Sequence, residues 1–259
     1  MPGAPDPVAA LHAARLSGRA LPAFPAPVPA TLADAYDIQR RLTAALGVPV
    51  LGWKVGRIPP ALVETLGAER IAGPVLRIAE LGGAAGEAMV FDGGAGAIEA
   101  EVMLRLRAVP DADVSGSDDG ARWIDDIRAG FEVASSPAPD VHAHAPFGIV
   151  ADIGINNGLL LGPQLDLADF ATLAVETRVE GQPVGTGRAI DVLDGPWGSL
   201  NFLLGLHRRG IIELAPGQWI SAGAITGVHP IIIGQRAEAS FGAAATIACT
   251  AVAETGFRS

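Results

Sequence analysis

The chain has 259 residues, 49% of them hydrophobic and 18% charged, enough apolar material for one large domain or two modest ones. A net charge of −10 argues against nucleic-acid and anionic-membrane partners, because both need basic surfaces. With Cys249 as its one cysteine, the chain can form neither an intrachain disulfide nor a cysteine metal cluster. No stretch approaches the roughly 20 apolar residues of a membrane span, and MPGAPDPVAA lacks a signal peptide's basic start. The expectation is a cytoplasmic protein.

Residues 7–18 (PVAALHAARLSG) carry apolar side chains at helical spacing and stop at a glycine, which predicts a first helix. The connector ALPAFPAPVPA is too rich in proline for regular structure. A second helix is predicted over 31–46, with Thr31 as its cap and a glycine at its end. Then comes LGWKVGR, residues 51–57. Of the 18 cationic side chains in the chain, only Lys54 is a lysine, and it sits between Trp53 and Val55.

The texture changes after residue 80. GGAAGEAMVFDGGAGA reads as loops and tight turns, and residues 98–108 alternate like a strand. TLAVETRVEGQPVG is a hairpin candidate, and QWISAGAITG and RAEASFGAAATIACTAV are further strand-like runs. One helix interrupts them, GPWGSLNFLLGLHRRG, with Asp194 as its expected cap. The division is a small helical N-terminal region, 1–80, and a larger β-rich region, 81–259. This is an α+β pattern, unlike the regular strand–helix alternation of a doubly wound fold.

The most informative stretch is AIEAEVMLRLRAV, residues 97–109. Read as a strand, it puts Ala100, Val102, Leu104 and Leu106 on one face and Glu99, Glu101, Met103, Arg105 and Arg107 on the other. Glu99 and Glu101 then point the same way with α-carbons about 6.6 Å apart. Two glutamates so placed can converge on a hard cation such as Mg²⁺, which takes oxygen ligands. They can equally belong to a solvated face on which Arg105 and Arg107 offset them. Glu132, in GFEVAS, is a candidate third ligand, because an unpaired carboxylate is costly in such an apolar run. Periodicity alone does not bring it to the first pair.

His142 and His144 form a His-X-His that suits either a metal or a solvated loop, while His12 and His207 fall on predicted helices and His229 in a loop. There is no GxSxG elbow, Walker loop or dinucleotide fingerprint.

Several of these motifs, taken in order, resemble the 2-keto-4-pentenoate hydratase / 4-oxalocrotonate decarboxylase family of the fumarylacetoacetate hydrolase superfamily. They are Ala35-Tyr36-Asp37-Ile38-Gln39, Gly52-Trp53-Lys54-Val55-Gly56, Ile98-Glu99-Ala100-Glu101, Phe131-Glu132-Val133, and Ala151-Asp152 with Gly162 beyond. The resemblance implies a mixed β-roll in the C-terminal region and a homo-oligomer, with possible association with a pathway enzyme. It also implies Mg²⁺ or Mn²⁺ held by Glu99, Glu101 and Glu132, with Lys54 as the catalytic residue beside a small 2-oxo acid or 2-hydroxydienoate substrate. Trp53, Ser135 and Asn156 are the implied substrate contacts. The implied reaction is hydration of a 2-hydroxy-2,4-dienoate to a 4-hydroxy-2-oxo acid in aromatic catabolism. The alternatives are decarboxylation of a 2-oxo diacid, acylpyruvate hydrolysis, or a non-catalytic partner subunit.

Such a site explains a retained lysine. An ammonium offsets anionic charge and can relay a proton, whereas a guanidinium supplies only the charge. Three positions depart from the family pattern. Ser135-Ser136-Pro137 stands where Asp-Ser-Arg is common, Ile153 where Asn often follows the Ala-Asp, and Ala222-Gly223 where Thr-Gly is common.

Overall fold

The computed structural model describes residues 6–82 and 85–257, so the first five residues and Gly83 and Ala84 of the glycine-rich stretch lie outside the described residues. Helix α1 (Pro7–Ser17) begins where the Asp6 carboxylate accepts the Val8 N–H and ends where Gly18 turns left-handed. Helix α2 (Leu32–Leu46) is capped by Thr31, whose hydroxyl accepts the Asp34 N–H, and ends at Gly47. Leu11 on α1 and Ala35, Ile38 and Leu42 on α2 pack with Val150, Ile153 and Ile155 in one buried cluster.

Most of the remaining chain is strand. β1 (Gly52–Arg57) is followed by the short α3 (Pro60–Leu66), then β2 (Arg70–Val75), β3 (Ile78–Glu80) and β4 (Gly86–Val90). Next come β5 (Ala95–Leu106), a single turn α4 (Ser117–Gly120), β6 (Ile124–Ser136), α5 (Phe147–Ala151) and β7 (Asn156–Gln164). β8 (Ala174–Val179) and β9 (Gln182–Arg188) form the expected hairpin. After them stand α6 (Gly195–Arg208), β10 (Trp219–Ser221), β11 (His229–Pro230), β12 (Arg236–Phe241) and β13 (Ala245–Ala253).

The strands make two mixed sheets. The larger runs in the order β2-β1-β10-β5-β6-β7-β3, with β11 also paired to β5, and the smaller runs β4-β13-β12-β8-β9. The architecture is the expected α+β. The larger sheet crosses the compositional boundary at residue 80, since β1, β2 and β3 all belong to it.

Two local expectations change. The glycine-rich stretch read as loop contains β4, whose pairing to β13 is parallel and long-range, so nothing in its own composition announces it. Asp194 does stand at the start of α6, but its carboxylate makes no cap and lies 3.2 Å from the Arg70 guanidinium instead.

On β5 the expected apolar face is buried, with Val102 at 1% exposure and Leu104 and Leu106 at 0%. The opposite face is buried as well. Glu99 is 7% exposed, and Glu101 and Met103 are 0% exposed. A solvated face is excluded. Only toward the end of the strand does Arg105 reach solvent, where its Nε donates to Asp125 at 2.7 Å.

Candidate metal and substrate site

Glu99 and Glu101, two apart on β5, leave the strand on one face. The antiparallel register sets Glu132 of β6 directly opposite Glu99, and this brings the third carboxylate to the same face. One ligand oxygen from each of the three residues lies within 4.8 Å of the others. Like charges opposed across a strand pair destabilise it, so this cluster needs positive charge.

Lys54 supplies part of that charge from β1. In the sheet order, β10 and β5 stand between β1 and β6, a separation of roughly 14 Å if the sheet were flat. Its Nζ nevertheless lies 3.2 Å from Glu132 Oε1. The two long side chains lean toward each other on one face of the sheet and close that gap. The residue in register with Lys54 on β10 is the small Ser221, which leaves room for the lysine stem.

The oxygens of the cluster are unevenly satisfied. Glu101 Oε2 accepts from the Ser221 hydroxyl and from the Gly223 N–H at 2.8 Å. Glu132 Oε1 accepts from Lys54 and from Asn156 Nδ2 at 3.1 Å. Glu101 Oε1 and Glu132 Oε2 are buried with no hydrogen-bond partner. Each orphaned group costs about 1–3 kcal/mol. Two of them beside a third carboxylate form an all-oxygen donor set suited to a hard dication. The charges agree with this: three carboxylates, one ammonium and one dication sum to neutrality.

Protonation tells the same story. Burial, then the charge of Glu132, pushes the Glu99 carboxyl up to about 7, against a smaller opposing pull from Lys54. Burial, then Glu132 and Glu99, raises Glu101 well above the usual carboxylate range, although Ser221 and Gly223 donate to it. Burial would lower the Lys54 ammonium, but Glu132, Glu99 and Glu101 together outweigh it and hold the group above its ordinary value. Lys54 is therefore charged at neutral pH, and Glu99 and Glu101 hold protons more tightly than free carboxyls, protons with which a dication would compete.

A cavity of about 630 Å³ opens onto Lys54 and Glu99 between apolar walls that include Ile71, Ile149 and Ile225. Arg57 and His142 also line it. Sequence reasoning noted His142 only within its His-X-His. The two histidines do not act together, since His144 turns toward Asp140 at 3.4 Å.

Of the residues singled out from sequence, Lys54, Glu99, Glu101, Glu132 and Asn156 come together. Trp53 and Ser135 do not line the cavity. Trp53 alternates with Lys54 along β1 and sends its indole N–H to the Glu213 carbonyl at 3.2 Å. Ser135 donates to the Ala95 carbonyl at 2.6 Å and accepts the Phe91 N–H at 3.0 Å, a buried brace between strands. Ser221 was missed, because its role depends on a neighbour 120 positions away.

No protein-family model matches the chain, and no curated protein matches it. Solved structures do. The chain is similar to 4-oxalocrotonate decarboxylase from Pseudomonas putida G7, complexed with magnesium and adipate. Identity is 23% over 95% of this chain and 96% of that one, with a TM-score of 0.77. It is also similar to 2-hydroxyhepta-2,4-diene-1,7-dioate isomerase from Mycobacterium marinum, at 18% identity over 79% and 76% of the two chains and a TM-score of 0.57. Fumarylpyruvate hydrolase from Pseudomonas aeruginosa, in complex with Mn²⁺ and pyruvate, matches at 14% identity over 77% and 88%, with a TM-score of 0.52. At these identities the likeness establishes the fold alone.

Proposed function

We propose that the chain is a metal-dependent lyase of 2-oxo acids, in which Glu99, Glu101 and Glu132 hold Mg²⁺ or Mn²⁺. The reading carries the reaction implied by the sequence resemblance, hydration of a 2-hydroxy-2,4-dienoate to a 4-hydroxy-2-oxo acid. The observation behind it is the buried carboxylate trio with two orphaned oxygens, beside a charged lysine and a cavity. Magnesium and Mn²⁺ in enzymes of the same fold support the choice of ion.

When bound, the ion supplies Lewis acidity that draws electron density from a 2-oxo group. The protein's own groups do the rest. Lys54 Nζ, charged and fixed beside Glu132, attracts the anionic end of a substrate and holds the proton that a dienol needs to become a ketone. Ser221 and Gly223 keep Glu101 facing the cluster, and Asn156 does the same for Glu132. The isoleucine walls shield the reacting carbons from bulk water.

Decarboxylation of a 2-oxo diacid is the second reading. It is favoured by the likeness to a decarboxylase complexed with adipate, and by the Arg57 guanidinium and the His142 ring as hydrogen-bond partners for a distal carboxylate. Acylpyruvate hydrolysis has less support, since no histidine–glutamate pair occurs among the described residues. The proposal extends to a homo-oligomer, for which the exposed Val228, Ile232 and Ile233 offer apolar surface.

Turnover of a panel of 2-hydroxydienoates and 2-oxo diacids with Mg²⁺ tests the reading. Hydration or decarboxylation that stops on chelation supports it. A protein that binds Mg²⁺ yet turns over nothing on the panel is a binding protein or partner subunit instead.

A further inference from the structure

Two isoleucines hold backbone angles that β-branched residues rarely adopt. Between α5 and β7, Ile153, Gly154 and Ile155 follow one another at φ 48°, 68° and 52°, a left-handed turn. Left-handed angles crowd the Cβ of an L-residue against its own backbone, so the surroundings must impose the conformation.

What the turn touches gives the reason. A Cβ built on Gly154 would stand 2.7 Å from Gly73 Cα on β2 and 3.2 Å from Lys54 Cδ, so the turn lies directly against the lysine stem. Ile155 lines the cavity. The next residue, Asn156, donates to Glu132 Oε1, the oxygen that Lys54 also approaches, and Oε2 is left unpartnered. One short segment thus sets the lysine stem, part of a cavity wall and the orientation of the third carboxylate.

The segment is gripped from behind. Asp152, fully buried just before the turn, accepts from Arg15 Nε at 2.7 Å on Oδ1 and from the Ser136 hydroxyl at 2.6 Å on Oδ2. Arg15, fully buried on α1, also donates to the carbonyls of Asp152 and Ser135 and to Asn157 Oδ1, each at 3.3 Å. It therefore holds both ends of the turn while lining no part of the cavity. Stability alone is a weak reason to bury such a pair, because apolar replacements of similar volume often do as well.

We infer that Arg15 and Asp152 are positioning residues: helix α1 clamps the 152–157 segment in its left-handed form, and that segment sets Lys54 and Glu132 in place. The inference rests on the functional reading of Lys54 and Glu132.

The test uses the fact that Lys54 is the only lysine. Lysine-specific ¹³C/¹⁵N labelling gives one side-chain signal, read on the metal-free protein without substrate. The double variant Arg15→Met/Asp152→Asn removes both charges and leaves neither buried alone. In it the Lys54 signal should shift or broaden, and directly measured Mn²⁺ affinity should fall about 10-fold or more, the usual effect of disturbing residues behind metal ligands. On any substrate the wild type accepts, kcat should fall by a similar factor with KM changing less. Arg208→Ala, which breaks an exposed pair with Asp113, should leave all three readings unchanged. A folded double variant with wild-type lysine signal and Mn²⁺ affinity overturns the inference. Should the double variant fail to fold, Gly154→Ala decides, because it keeps the ion pair and adds one methyl against Gly73 and Lys54. An unmoved lysine signal there overturns the inference too. Because the signal is read without turnover, a wild type inactive on every substrate sinks the proposed reaction and leaves this test standing.

Discussion

Two clusters of buried charge among the described residues are satisfied in opposite ways. Glu254 accepts from Arg77 at 2.7 and 3.2 Å, from Asn157 at 2.6 Å and from the Gly256 N–H at 2.6 Å, so both of its oxygens are spent. Burial would raise its carboxyl, but the bonds from Arg77 and its neighbours outweigh that and hold it below the usual range. Glu99 and Glu101, of the same residue type and similarly enclosed, are pushed up, and Glu101 and Glu132 each keep an orphaned oxygen. A satisfied network closes on itself and ties the chain ends to the sheet. An unsatisfied one waits for a ligand.

The largest effects should come from the unsatisfied cluster. Lys54→Met should reduce kcat by roughly 10²–10⁴-fold on an accepted substrate, and Lys54→Arg should not rescue it if Nζ handles a proton. Recovery of most activity by arginine would assign Lys54 to charge balance alone. Glu101→Gln should weaken Mn²⁺ binding, measured directly, without unfolding the protein.

Breaking the satisfied network should instead cost stability. Arg15→Met alone leaves Asp152 buried without its partner, and about 3–5 kcal/mol should be lost in urea unfolding. A loss below 1 kcal/mol would show that water reaches Asp152.

Ile153→Asn joins the two clusters, and its effect should be smaller. Asparagine tolerates the left-handed region and relieves up to about 1 kcal/mol of strain. The fully buried isoleucine contributes about 1.5–3 kcal/mol by burial, so the variant should be less stable by about 0.5–3 kcal/mol. A gain in stability would mean that strain dominates at this position.

The smallest effect concerns pH. A carboxyl raised by folding, as Glu99 is to about 7, contributes stability that is fully present below its unfolded value near 4.3 and is lost as pH rises through about 7. The depressed Glu254 has the opposite sign, and its contribution disappears as pH falls below the usual carboxylate range. The metal-free protein should therefore melt lower at pH 8 than at pH 6. Mg²⁺ should raise Tm more at pH 8, where fewer protons compete for the carboxylates. An Mg²⁺ shift independent of pH would place the ion elsewhere.

Much of this was readable locally. Thr31 and the glycines at 18 and 47 mark the first two helices, because caps and left-handed stops act within a single turn. A period of two puts Glu99 and Glu101 on one face, and an isolated lysine in an arginine-rich chain stands out in any reading. Asp194 shows where local reasoning ends: its position is right for a cap, but Arg70, 124 residues away, takes the carboxylate.

The sequence by itself determined which residue types could do the chemistry and which face of β5 they share. Tertiary structure alone decided that Glu132 stands opposite Glu99, that Lys54 reaches Glu132 past two intervening strands, and that Ser221 and Gly223 turn to Glu101. It also decided that two isoleucines adopt left-handed angles against their own preference. Side-chain direction along a strand is set by the chain's own geometry, one residue at a time. Strand register, strand order and a strained turn are set by partners remote in sequence, and become definite only when those partners pack.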